Sequence, residues 1–130
     1  MICLDSDVMI DLLRQYPSAI EWFDALDEDE EIVLPGYVVM ELLQGCKNRA
    51  EQDRLQGALA SYGVVWPSST DCDKALDTFR QYHLSHNAGL LDVLIGQTVV
   101  ALSVPLYTFN QRHYEFIPGL QTTQPYTKTS

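Results

Sequence analysis

The sequence predicts an α/β protein: a three-layer α/β/α domain with a short central parallel sheet and helices on both faces. Two observations lead there. Apolar runs of three to five residues alternate along the chain with longer stretches of helical periodicity. Those runs stay apolar instead of alternating with polar residues, as strands covered on both faces do. The 130 residues are expected to form a single domain, 1–130, whose last residues, about 123–130, are a polar tail.

The elements follow in order. "ICL", residues 2–4, is a strand ending at Asp5. "DVMIDLLRQY" opens with a possible cap, carries apolar residues at helical spacing and stops at Pro17. Ser18 is expected to cap a second helix reaching about Leu26. The acidic run "DEDEE", 27–31, leads into the strand "IVL", closed by Pro35 and Gly36. "YVVMELLQGC" is a third helix and "AEQDRLQGALASYG" a fourth, with Leu55 and Leu59 inward. "VVW" is a strand before Pro67, and Thr70 or Asp71 caps a fifth helix to about His83. "GLLDVLIGQTVVAL", 89–102, is a sixth helix, followed by strands at "PLYTF" and "GLQTT".

Composition narrows the function classes. The formal net charge is -10, which opposes general affinity for phosphate backbones. Setting aside the 27–31 run, a solvated connection or a docking patch for a basic partner, leaves thirteen acids against eight bases. Binding to nucleic acid through a metal stays open. Cys3, Cys46 and Cys72 form no CxxC pair, so small buried thiols are expected and no disulfide framework. No apolar run reaches the ~18 residues of a membrane span, and no cleavage signal is visible, so cytoplasmic residence is expected.

Three acids stand in apolar settings. Asp92 lies on a helix apolar on nearly every side, Glu41 sits in "VVMELL", and Asp5 ends the first strand. An ionised carboxylate in such surroundings costs several kcal/mol unless paired, hydrogen-bonded or metal-bound. Each has a plain alternative. Asp5 or Asp7 caps the following helix, and Glu41 shares an exposed stripe with Gln44 and Lys47. If the three converge, their repulsion raises their pKa values, and a hard cation such as Mg²⁺ or Mn²⁺ relieves it. Such a cation activates water and steadies a transferring phosphoryl group.

Four segments, "LDSDVMIDLL", "LPGYVVMELLQG", "LLDVLIGQTVVAL" and "YTFNQRHYEFIPGL", resemble in order and spacing the PIN domain, specifically the VapC-type ribonuclease toxins of bacterial toxin–antitoxin pairs. The resemblance covers essentially the whole chain. It implies a PIN-like fold and an Mg²⁺- or Mn²⁺-dependent endoribonuclease. Asp5, Glu41 and Asp92 match the metal-binding acids, with Ser6 as the small hydroxyl residue beside Asp5. Thr108 and Asn110 match the T-x-[D/N] element. Asn110 replaces a fourth acid often found there, which leaves open whether one cation binds or two. Arg14, Lys47, Arg49 and Arg112 are candidate phosphate contacts on the rim, or ordinary solvated surface. His113 matches a position often His or Asp, and supports the loop.

Other readings compete. Asp5 and Asp7 also resemble the D-x-D opening of haloacid-dehalogenase-type phosphatases, but no later acidic pair and lysine after a strand are found. A PIN-fold binding module without catalysis is a further alternative, motivated by the acidic surface and Asn110. His83 and His86 invite zinc only if the fifth helix continues through Ser85, and no third ligand is spaced to join them. Tyr107, Tyr114, Phe116 and Trp66 read as core or interface aromatics. By resemblance the partners are RNA, a cognate VapB-like antitoxin and a second copy in a homodimer, with no membrane. Ile10, Leu13, Trp22 and Phe23 either receive an antitoxin helix or pack in the core.

Overall fold

The computed structural model describes residues 1–128. Among them, five strands form one sheet in the order β3-β2-β1-β4-β5, and every neighbouring pair is parallel. The strands are β1 (Ile2–Leu4), β2 (Ile32–Pro35), β3 (Gly63–Val65), β4 (Leu106–Tyr107) and β5 (Thr122–Thr123). Six helices cover the sheet in a three-layer α/β/α arrangement. They are α1 (Ser6–Leu13), α2 (Pro17–Asp24), α3 (Gly36–Gln44), α4 (Arg49–Leu59), α5 (Ser69–His86) and α6 (Leu90–Leu102). No described helix is long and apolar enough to cross a membrane.

The sheet grows outward from β1 in both directions, so the strand order reverses between β1 and β4. Ligands of open parallel sheets collect beyond the carboxyl ends of the strands at such a point. Asp5 follows β1 directly and Thr108 follows β4 directly. β1 is buried throughout, and the core gathers Cys3, Leu4, Val8, Met9, Leu34, Val38, Ile95, Val99 and Leu106 around it.

Several element ends differ from expectation. Asp5, not Asp7, occupies the N-cap of α1. α2 begins at Pro17, because proline at a first helical position lacks only an N–H that would be unbonded anyway; Ser18 is not its cap. Ser68 caps α5 through a reciprocal box with Asp71, at 3.1 and 3.0 Å. That helix continues past His83 to His86 and stops at Asn87, which is left-handed with φ 51°. Trp66 leaves β3 and lies edge-on to Tyr37, ring centroids 5.4 Å apart. Cys3 is buried, which pushes its thiol up to about 12, while Cys46 and Cys72 are only half-buried. The acidic run is largely exposed, with Glu30 paired to the N-terminal ammonium at 2.8 Å.

Residues 124–128, expected as part of a polar tail, return to the body of the domain. The Tyr126 hydroxyl donates to Asp11 Oδ2 at 2.7 Å, and Lys128 Nζ pairs with the same oxygen at 2.9 Å.

Candidate active site

Asp5 is 4 % exposed and takes three donors. Its Oδ1 accepts the Ser6 backbone N–H at 2.8 Å; its Oδ2 accepts the Thr108 hydroxyl at 2.8 Å and the Tyr114 hydroxyl at 2.9 Å. The Asp5 backbone N–H bonds the Tyr107 carbonyl at 3.0 Å, which ties the residue to β4 as well as β1. Ser6 thus serves this carboxylate through its main chain.

Glu41 projects from α3, half-buried. Loss of solvent, then the charges of Asp5, Asp92 and Asp7, raise its pKa from the ordinary 4.5 to about 6. Asp92 sits in the first turn of α6, where the helix dipole favours an anion. Burial and then Asp5 push its carboxyl up, while His113 and the Tyr114 hydroxyl act the other way. His113 Nδ1 stands 3.5 Å from Asp92 Oδ2, an ion pair when the imidazole is protonated. Three carboxylates carried by three different elements therefore feel one another at the switch point.

Asp7 faces the turn after β4. Its Oδ1 accepts the Val8 N–H at 2.8 Å. Its Oδ2 accepts the Phe109 N–H at 2.9 Å and the Asn110 amide at 3.2 Å. Burial and the nearby Asp5 charge raise its pKa; the Phe109 and Val8 N–H groups oppose that shift. The fully buried Thr108 hydroxyl also accepts the Asn110 backbone N–H at 3.0 Å. Asn110 is thus held in a turn that Asp7 and Thr108 organise together. An Asp7 so engaged is poorly placed for the general-acid role of a D-x-D phosphatase.

Two recesses flank the acids. One, of about 240 Å³, is lined by Ile10, Leu13, Arg14, Glu41, Leu42 and Leu55 among others. The second, of about 290 Å³, is lined by Asp92, Arg112, His113, His86, Gly89 and Phe116 among others. Arg14 and Arg112 each share a recess with one acid. Lys47 and Arg49 stand at the α3–α4 junction and line neither. Of the four early apolar residues, Ile10 and Leu13 line the Glu41 recess, while Trp22 packs on Tyr107 at 5.4 Å. His83 stacks on Phe79 at 5.0 Å.

Two groups escaped the sequence reading. Tyr114 was expected as a core aromatic; it is buried, yet its hydroxyl ends on Asp5. Asp7 was weighed only as a cap or a phosphatase acid. The available signal was chemical: a tyrosine read as buried needs a partner for its hydroxyl.

The donor set is all oxygen, as a hard cation requires. Among the described residues no three His, Cys, Asp or Glu side chains stand close enough to ligate one metal ion directly. That spacing suits a cation that keeps several waters and takes only one or two carboxylates directly, the habit of Mg²⁺.

Comparison with known proteins finds a family model, curated relatives and solved structures that match this chain. The PIN domain family matches residues 2–117. Ribonuclease VapC10 of Mycobacterium tuberculosis is 32% identical over 122 residues, covering 93% of this chain and 91% of that protein. Ribonuclease VapC19 of the same species is 31% identical over 126 residues, covering 93% and 98%. Among solved structures, a toxin–antitoxin complex from Klebsiella pneumoniae aligns with TM-score 0.77 at 21% identity, covering 97% of this chain and 98% of that one. VapBC2 from Rickettsia felis, bound to a promoter DNA fragment, gives 0.77 at 21%, covering 95% and 98%. At such identity the solved structures speak for the fold.

Proposed function

The chain belongs to the PIN domain family, and on that premise we propose that it is an endoribonuclease of the VapC type, the toxin of a toxin–antitoxin pair. The observation that carries the chemistry is the set Asp5, Glu41 and Asp92, brought from the β1–α1 junction, α3 and α6 to the switch point with raised pKa values at Glu41 and Asp92. Mutual repulsion of this kind is relieved by a divalent cation, and Mg²⁺ or Mn²⁺ fits an all-oxygen site that retains water. When bound there, the cation supplies an activated water and charge stabilisation for the phosphoryl group.

The protein's own groups do the rest. Asp5, Glu41 and Asp92 would hold the cation, one or two of them directly and the rest through its waters; Thr108 and the Ser6 N–H fix the orientation of Asp5. His113 stands beside Asp92 and balances its charge when the imidazole is protonated. Asn110, held by Asp7 and Thr108, borders the reacting phosphate and positions water or substrate. Arg112 and Arg14 flank the acids and are the stronger candidates for phosphate contacts, with Lys47 and Arg49 reaching RNA only beyond them. In the reaction a water oxygen bonds to phosphorus as the bridging P–O bond breaks, and the leaving oxygen takes a proton.

The apolar lining of the Glu41 recess, Ile10, Leu13, Leu42 and Leu55, supports an antitoxin segment covering the site. A homodimer and cytoplasmic residence complete the reading. The test is cleavage of total RNA with Mg²⁺ or Mn²⁺ and with EDTA, beside calorimetric titration of Mn²⁺. Asp92→Asn should abolish metal-dependent cleavage while leaving a folded chain. Cleavage at the parent rate by Asp92→Asn, or in EDTA, rejects the assignment. A parent that binds no Mn²⁺ supports the second reading, a binding module without catalysis, which the amide at Asn110 favours.

A further inference from the structure

We propose that Tyr114 is a positioning residue of the acidic site, its hydroxyl fixing the orientation of the Asp5 carboxylate. The inference rests on the ribonuclease reading and goes one step beyond it. Tyr114 is 1 % exposed, and a ring buried that deeply packs as well without a hydroxyl. The oxygen nevertheless stands 2.9 Å from Asp5 Oδ2 and donates its one proton there. A neutral donor on Asp5 holds that carboxylate in one orientation at the place where it must face a cation.

The ring has little freedom to follow if the acids move. The Tyr114 N–H bonds the Gln111 carbonyl, and its own carbonyl accepts the Ile117 N–H, both at 3.0 Å. Below it, Gly96 leaves α6 bare. A methyl group there would stand 2.4 Å from Ile117 Cδ1 and 3.6 Å from the Tyr114 ring. A carboxylate offers about four lone-pair positions. Ser6, Thr108 and Tyr114 occupy three on Asp5, so its remaining capacity points in one fixed direction. Such outer partners of metal-binding carboxylates typically contribute 10- to 100-fold in metal affinity or activity.

The experiment compares the full chain with Tyr114→Phe, which deletes only the hydroxyl. Mn²⁺ is titrated calorimetrically, melting is followed without metal, and RNA cleavage is measured in parallel. Mn²⁺ affinity should fall about 10- to 100-fold, kcat should fall with it, and KM for RNA should stay within about twofold. A purely packing role predicts a lower melting temperature with unchanged Mn²⁺ affinity, and that result overturns the proposal. If Tyr114→Phe does not fold in buffer, parent and variant are titrated again in sucrose, which favours the compact state. A fall in Mn²⁺ affinity supports the proposal and an unchanged value overturns it. A parent that neither binds Mn²⁺ nor cleaves RNA removes the ribonuclease reading and the inference together. A parent that does both, beside an unchanged variant, removes the inference alone.

Discussion

Glu41 carries the clearest pH consequence. Its carboxyl is raised from 4.5 to about 6 by desolvation first and then by Asp5, Asp92 and Asp7. A raised acid ionises against the fold, so the penalty is absent below pH 4.5, grows toward about pH 6 and is complete above it. The group is half-buried, so solvent screening reduces the cost to about 1 kcal/mol. Glu41→Gln in EDTA should therefore be more stable than the parent by about 1 kcal/mol near pH 7 and equal to it near pH 4. With Mn²⁺ at about 100 times its Kd the order should reverse, because binding stabilises the parent by about 2.7 kcal/mol. Urea denaturation at both pH values, with and without Mn²⁺, checks all three; a variant less stable in EDTA at neutral pH would sink the argument. The three acids were legible in the sequence because an ionised group among apolar neighbours is costly wherever it stands. Tyr114 and Asp7 were not, because their partners lie 109 and 102 residues away and such contacts leave no spacing pattern.

At the scale of elements, close approach of backbone and ring sets the entry to α3. Gly36 opens that helix beneath the Trp66 indole, and a methyl group there would stand 2.4 Å from the ring. Gly36→Ala must therefore push Trp66 off Tyr37, at a cost of about 1–3 kcal/mol, the usual range for overpacking. In a Trp66→Ala background the same change should no longer destabilise. Urea midpoints for the four chains of this cycle decide it, and a cost that survives loss of the indole refutes the steric cause. The number and kind of elements were readable because short unbroken apolar runs and longer stretches of period near 3.6 look different. Their ends were harder. Thr70 and Asp71 are good cap residues, yet Ser68 wins because its hydroxyl and the Asp71 carboxylate satisfy two N–H groups reciprocally. Nor does periodicity say that Trp66 turns out of β3, since a half-exposed indole fits a strand pattern equally well.

On the scale of the whole molecule, the strand order places the chemistry and the C-terminal segment braces it. Alternating strands and helices announce a parallel sheet, but nothing local tells β4 to join the free side of β1, which is what brings Thr108 to Asp5. The turn after β4 is held from within by Asp7 and from outside by residues beyond β5. Tyr126 packs 4.9 Å from Phe109 and 6.2 Å from Trp22, and Lys128 Nζ lies 4.2 Å over the Phe109 ring. Both also engage Asp11, but not equally. The Lys128 side chain is 40% exposed, so its ion pair is worth under about 1 kcal/mol. The Tyr126 hydroxyl makes a 2.7 Å bond to a charged acceptor, worth about 1.5–3 kcal/mol, and its ring adds about 0.5–1.5 kcal/mol per aromatic contact. Truncation after Thr123 should therefore destabilise by about 2–4 kcal/mol. Tyr126→Leu should account for most of that, Tyr126→Phe for roughly half, and Lys128→Ala for little. Thermal and urea melts of these four chains test the ranking. Because Phe109 donates its N–H to Asp7, the truncated chain should also lose RNA cleavage by more than its folded fraction explains. A ranking led by Lys128, or a truncated chain as stable as the parent, would mean that the segment merely rests on the surface and that Asp7 alone holds the turn.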